Sequence, residues 1–240
     1  MIDAGISALA IRKSLKQIGI PLTAVMGVLL SHNHTDHVKG LEVLSRKNNI
    51  PAFTTGKVWD SIIARNKNIR SDCIRIIPLQ EKFELAGFNI IVFPVSHDAP
   101  ATIGFHIDTC ERTVTIATDL GYISEIATAY IKEANLLVIE SNYDEQMLTE
   151  GKYPYFLKKR ISSDKGHLGN HQTSSFLAEN ISDKLDYICL AHLSINNNSP
   201  EKALSTLQQT LSEKNIVLNG RPQITVLKRN KPSGIIRLTV

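Results

Sequence analysis

The chain is short of cysteine, of long apolar runs and of repeats, and each shortage removes a class of protein. Its 240 residues hold three cysteines, Cys73, Cys110 and Cys189. They are odd in number and far apart, which argues against a disulfide framework and against a cysteine-bound zinc site. Reduced, buried thiols in a cytoplasmic protein are the expectation. No apolar stretch approaches the roughly 20 residues of a membrane-spanning helix. The N-terminus starts apolar, but Arg12, Lys13 and Lys16 interrupt it and no A-x-A-like cleavage site follows. It reads as an amphipathic helix, not a secretion signal. There is no internal repeat and no low-complexity linker. A hydrophobic content of 42% with 21% charged residues fits one layered α/β domain over residues 1–240.

Metal-competent side chains are what the chain does have, and they are concentrated. The hexapeptide His32-Asn33-His34-Thr35-Asp36-His37 reads H-x-H-x-D-H and follows the apolar run Val28-Leu29-Leu30. Imidazole and carboxylate donors suit zinc, manganese or iron better than calcium or magnesium. On an extended segment His32 and His34 share one side, because side chains alternate with period two. A helix beginning at Val38 turns Asp36 and His37 toward a second point, which suggests two metal ions. Further donors stand where apolar runs end: His97 after 90–95, Asp119 after 113–118 and His192 after 187–191. Ligand sites in sheet-based folds collect on such loops.

Periodicity predicts helices over 7–18, 38–47, 57–68, 124–134, 173–180 and 200–212. Ser199 is a good N-cap for the last, and Pro200 fits its first position. Strands are predicted at 25–30, 73–77, 83–85, 89–95, 102–107, 113–118, 136–139 and 187–191. Ala86-Gly87 closes one hairpin tightly and 109–112 connects another. Residues 223–227 and 234–240 read as a closing strand pair.

A strand-borne H-x-H-x-D-H followed by a lone His, an Asp and a late His resembles the metallo-β-lactamase superfamily of dinuclear metal hydrolases. Thr118-Asp119-Leu120-Gly121, Glu140-Ser141-Asn142, Gly166-His167-Leu168-Gly169-Asn170 and Ala191-His192-Leu193-Ser194-Ile195-Asn196-Asn197 narrow the likeness to its WalJ/YycJ-type exonuclease branch. The resemblance covers residues 2 to about 200 and implies a four-layer αββα sandwich. It implies a first metal site of His32, His34 and His97 and a second of Asp36, His37 and His192, with Asp119 bridging. A water between two such cations becomes acidic enough to supply a hydroxide that attacks phosphorus, with Asp36 among the catalytic groups. Gly169 departs from the serine usual in the branch, which loosens a phosphate contact. Members also open with two strands and a glycine- and serine-rich loop before an L-I-D-A-G segment. This chain starts at Met1-Ile2-Asp3-Ala4-Gly5, so it is expected to be N-terminally short, with an exposed sheet edge and an incomplete core.

His167 lies in a polar, glycine-containing loop, and the branch makes it a group for holding substrate phosphate or assisting the leaving group, with Asn170 beside it. His106 alternates within an apolar strand and reads as core; His171 opens a helix and reads as capping or solvent-facing. The net charge is +4, and Lys152, Lys158, Lys159, Arg160 and Lys165 are interleaved with Tyr153, Tyr155 and Phe156 just before His167. Lys158, Lys159 and Arg160 are therefore expected to hold a nucleic-acid backbone, with the alternative of a solvated loop. Lys228-Arg229-Asn230-Lys231 reads as a turn. The favoured function is a 5′-to-3′ DNA exonuclease. The alternatives are a small-molecule hydrolase of the same fold, acting on a thioester, lactone or cyclic phosphodiester, and a non-catalytic binding module. Native metal and oligomeric state are not legible.

Overall fold

Apolar runs rich in valine and isoleucine become strands, and the helices between them bury one face each. The computed structural model describes residues 1–65, 68–229 and 231–238. Strands β1 (Val28–Leu29), β2 (Ala52–Thr54) and β3 (Ile74–Ile76) form a small parallel sheet. Strands β4 (Phe83–Leu85), β5 (Phe88–Pro94), β6 (Ile103–Asp108), β7 (Thr113–Ala117), β8 (Leu136–Glu140), β9 (Tyr187–Ala191) and β10 (Gln223–Val226) form a larger one in the order β10-β9-β8-β7-β6-β5-β4. The pairs from β4 to β7 are antiparallel and those from β7 to β10 parallel. The β4–β5 hairpin turns on Ala86 and Gly87, both at positive φ, the geometry a two-residue connection requires.

Three apolar clusters define four layers. Leu29, Ile90, Val92 and Phe105 fill the space between the two sheets. Helices α1 (Ala8–Gln17), α3 (Leu41–Asn48) and α4 (Gly56–Ile63) pack Ile11, Leu44 and Trp59 on the outer face of the small sheet. Helices α5 (Glu125–Lys132), α8 (Asn170–Asn180) and α9 (Pro200–Glu213) place Ile131, Leu177 and Leu207 on the outer face of the large one. This is the expected αββα sandwich. The short helices α2 (Thr35–Val38), α6 (Glu145–Glu150) and α7 (Tyr155–Ile161) lie in connections. Ser199 caps α9 as expected, accepting from the Lys202 amide. Among the described residues no helix is long and apolar enough to cross a membrane. Cys73 and Cys189 are buried and Cys110 is exposed; all three are free.

Several boundaries differ from the sequence reading for physical reasons. The helix expected over 38–47 breaks at Gly40, whose missing Cβ would lie 2.5 Å from the Ile6 carbonyl oxygen. The strand expected over 25–30 is reduced to Val28–Leu29, preceded by a 3₁₀ turn over Leu22–Ala24. Residues 66 and 67 of the helix expected over 57–68 lie outside the described residues, and α4 itself ends at Ile63. The closing strand pair does not form among the described residues: β10 pairs in parallel with β9, and residues 234–238 are irregular with Ile235 exposed. Residues 239 and 240 of that expected strand are outside the description.

Candidate metal centre

Most of the expected ligands sit where a strand hands its chain to a loop. His32 follows β1, His97 follows β5, Asp119 follows β7 and His192 follows β9, while Asp36 and His37 lie on α2. The loops converge at the C-terminal ends of these strands. Asp119 and His192 both adopt φ of +58°, and Asp3, which touches His37, adopts +50°. Left-handed backbone at non-glycine residues costs free energy and persists where surrounding structure enforces it. Three such residues at one site mark it as functionally constrained.

The imidazoles are aimed by what their Nδ1 atoms touch. His37 Nδ1 donates to Asp3 Oδ2 at 2.7 Å. Ser31 Oγ donates to the same oxygen at 2.8 Å and so accepts from His32 Nδ1 at 2.9 Å. His97 Nδ1 donates to the Gly166 carbonyl at 3.0 Å. His167 and His192 donate through Nδ1 to Glu140 Oε1 at 2.8 and 2.7 Å. An ionised carboxylate or a carbonyl can only accept, so these partners fix the proton on Nδ1 and leave Nε2 free to ligate. His34 is the exception: its Nδ1 lies 3.3 Å from His97 Nε2, so Nδ1 faces the cluster.

The free atoms converge. Ligand atoms of His32, His34 and His97 lie within 4.8 Å of one another, as do those of Asp36, His37 and His192. Asp119 stands between the two groups, with Oδ1 3.7 Å from His97 Nε2 and 3.3 Å from His192 Nε2, and Oδ2 3.4 Å from His37 Nε2. Tetrahedral ligands about 2.1 Å from a zinc ion are about 3.4 Å apart, so this spacing suits a cation at each end. Two buried atoms, His32 Nε2 and Asp119 Oδ2, have no hydrogen-bond partner. Orphaned buried donors and acceptors are rare in folded proteins, and a cation satisfies both here. The residues fit divalent metal ions.

Electrostatics divide the two ends. Burial and the neighbouring imidazoles drive the pKa of His32 far below its ordinary value, and burial with His97 lowers that of His34, so that end presents neutral donors. For His37 burial opposes the charge, but Asp3 and Asp119 outweigh it and raise the pKa to about 9. His192 behaves alike: burial is outweighed by Asp119 and Glu140, and its pKa rises to about 10. Glu140 is fully buried, and despite burial the two imidazoles hold its carboxyl well below the usual range. His167, half-buried, is held above its ordinary value because Glu140 outweighs burial. Its ring lies 5.0 Å from His97 and 5.3 Å from His192, at the junction of the two ends.

The expected substrate contacts fare differently. Asn170 is fully buried, and its amide bonds Ser141 Oγ at 2.6 Å and Asn198 at 2.8 and 3.0 Å. It ties α8 to the loop after β8, and these bonds engage both atoms of its amide. Lys158, Lys159 and Arg160 share α7. Lys158 Nζ donates to the Thr149 carbonyl, Lys159 Nζ lies 5.0 Å over the Tyr155 ring, and Arg160 pairs with Asp98. His106 bonds Thr115 Oγ1 and is only half-buried on the sheet, not in the core as its alternation implied, whereas His171 is exposed as expected. Sequence reasoning gave no role to Asp3 or Glu140. The rule that selects His97, Asp119 and His192 also selects Glu140, which closes the apolar run 136–139.

The beta-lactamase superfamily domain family matches residues 1–184. The chain is 37% identical to exodeoxyribonuclease YycJ of Bacillus anthracis over 214 residues, covering 89% of this chain and 81% of that protein. It is 29% identical over 215 residues to exodeoxyribonuclease WalJ of Streptococcus pneumoniae serotype 2, covering 89% and 80%. The crystal structure of the metallo-β-lactamase fold protein YhfI from Bacillus subtilis superposes with a TM-score of 0.67 at 16% identity, over 95% of this chain and 83% of that one. A likeness at that identity speaks to the fold.

Proposed function

The chain belongs to the β-lactamase superfamily of metal-dependent hydrolases, and we propose that it is a DNA exonuclease degrading duplex ends from 5′ to 3′. The observation that carries the substrate class is the kinship with YycJ over 89% of the chain. In this reading His32, His34 and His97 would hold one divalent ion, Asp36, His37 and His192 would hold a second, and Asp119, which stands between the two groups, would serve both. Zinc and manganese suit these donors, with iron a further option. Bound there, the ions would supply Lewis acidity for activating water and for neutralising charge on the attacking and leaving oxygens.

The chain's own residues supply orientation and a proton. Asp3 and Glu140 hold His37 and His192 with Nε2 inward, so the site is built before substrate arrives. Glu140 also accepts from His167 Nδ1 and raises that imidazole's pKa, which favours His167 as the proton donor to a leaving oxygen. Tyr155 and Phe156, 71% and 73% exposed beside Lys159, offer faces on which an end base stacks.

The test is degradation of an end-labelled linear duplex with manganese, using protein shown to carry metal beside an Asp36→Asn, His37→Ala control. Stepwise loss from 5′ ends, absent in the control, is expected. Intact DNA in the presence of metal-loaded protein would overturn the reading and favour hydrolysis of a small thioester, lactone or cyclic phosphodiester.

A further inference from the structure

Three arginines from separate elements dock on the three segments that carry the metal-site histidines. Arg65, just past the end of α4, donates from Nη1 to the carbonyl of Asn33 at 3.2 Å, between His32 and His34. Arg160 on α7 pairs with Asp98, the neighbour of His97. Arg229, beyond β10, donates from Nη1 to the carbonyl of Leu193 at 3.1 Å, next to His192. The three are 69 or more residues apart in sequence yet meet the loops of one site.

Their charges are not equivalent. Arg160 is neutralised by Asp98. Arg65 and Arg229 bond only neutral carbonyls, and among the described residues neither forms a salt bridge. Both side chains are exposed. A guanidinium has five N–H donors in a rigid fork, so one carbonyl bond fixes its position and leaves most of its donors available. Arg65 also lies close enough to His34 to act on it electrostatically. A polyanion matches two positioned, unpaired guanidinium groups at the His34 and His192 ends of a phosphodiester-cleaving cleft.

Resting on the exonuclease reading, we propose that Arg65 and Arg229 form a clamp that contacts backbone phosphates on either side of the scissile one. Backbone phosphates are a repeating feature of nucleic acid and are missing from a single small diester. The clamp therefore positions a strand and selects polymer over monomer, without reading base sequence.

The experiment compares metal-loaded wild-type protein with Arg65→Gln, Arg229→Gln, the double variant and the two Arg→Lys variants. Binding is read by fluorescence anisotropy of a labelled duplex whose terminal linkages are phosphorothioates, across a salt series. Hydrolysis is read on unmodified duplex and on bis(p-nitrophenyl) phosphate. Each Gln variant is expected to weaken duplex binding about two- to five-fold. Each should also flatten the plot of log affinity against log salt by about 0.9, and the double variant by about 1.8. The Lys variants should retain the wild-type slope. Loss of kcat/KM on the duplex should exceed the loss on the small diester at least five-fold in the double variant. A double variant with the wild-type slope, while wild type binds and degrades duplex, overturns the clamp alone. Equal losses on both substrates also overturn it, because they place the arginines in support of the ligand loops. A wild type that hydrolyses the small diester yet neither binds nor degrades duplex overturns the nucleic-acid reading, and the clamp with it.

Discussion

Replacing Glu140 with glutamine keeps the shape of the side chain and removes its ability to accept at both oxygens. Oε1 receives His167 Nδ1 and His192 Nδ1, and Oε2 receives the amides of Leu120 at 3.0 Å and Leu168 at 3.3 Å. In one orientation the new NH₂ faces the two backbone donors. In the other it faces the two imidazoles, forcing their protons to Nε2, where His192 must ligate. In the first orientation two buried donors lose their acceptor, at about 1–3 kcal/mol each, so roughly 2–6 kcal/mol of stability is at stake; in the second the loss falls on ligation by His192. At about 2–4 °C per kcal/mol for a chain of this size, the lower bound lowers Tm by roughly 4–8 °C. Loss of a carboxylate that orients a metal-binding histidine should weaken metal affinity about 10- to 100-fold. Thermal melts with and without zinc, and competition against a chromophoric chelator, measure both effects. A Glu140→Gln protein with wild-type Tm and wild-type affinity would refute the claim that Glu140 fixes the two histidine tautomers.

Asp3→Asn should weaken the Asp36–His37–His192 end about 10- to 100-fold while sparing the other end, seen as loss of the weaker phase in a zinc titration. Gly5→Ala should disturb the same end from the backbone, because a Cβ there would fall 1.6 Å from the Asp36 carbonyl oxygen; overpacking of this kind costs about 1–3 kcal/mol or more, and a melt will show it. The raised pKa values of His37, about 9, and His192, about 10, set a pH window for the metal-free protein. Imidazolium stabilisation is full below the unfolded pKa of about 6.5 and is lost as pH rises through 9 to 10, so metal uptake at pH 7.5 should release close to two protons. Calorimetry in buffers of different ionisation enthalpy counts them, and zero release contradicts the assignment. Cys110 should react at once with a thiol reagent, whereas buried Cys73 and Cys189, the latter with its thiol pushed up to about 11, should react only on unfolding.

The parts of this molecule legible in the sequence are those with a local cause. Valine- and isoleucine-rich runs gave β5 to β9 nearly to the residue, and the loops just past them carry His97, Asp119 and His192. H-x-H-x-D-H declared itself because four donors in six residues serve no packing purpose. Short elements escaped: α6, α7 and β2 have six, seven and three residues, too few to display a period. Partnerships across the chain escaped as well. Asp3 meets His37 across 34 positions and Glu140 meets His192 across 52, distances at which no spacing rule operates. Burial escaped too: Asn170, beside His167 in sequence, has its side chain buried against Ser141 and Asn198.

The central claim is a two-ion centre whose ends are separable, and metal content per chain tests it most directly. Elemental analysis of purified protein, paired with zinc titration of the metal-free form, should find two ions per chain, falling to one in an Asp36→Asn, His37→Ala variant that retains the His32–His34–His97 group. A wild type saturating at one ion, or a variant still binding two, would contradict the account.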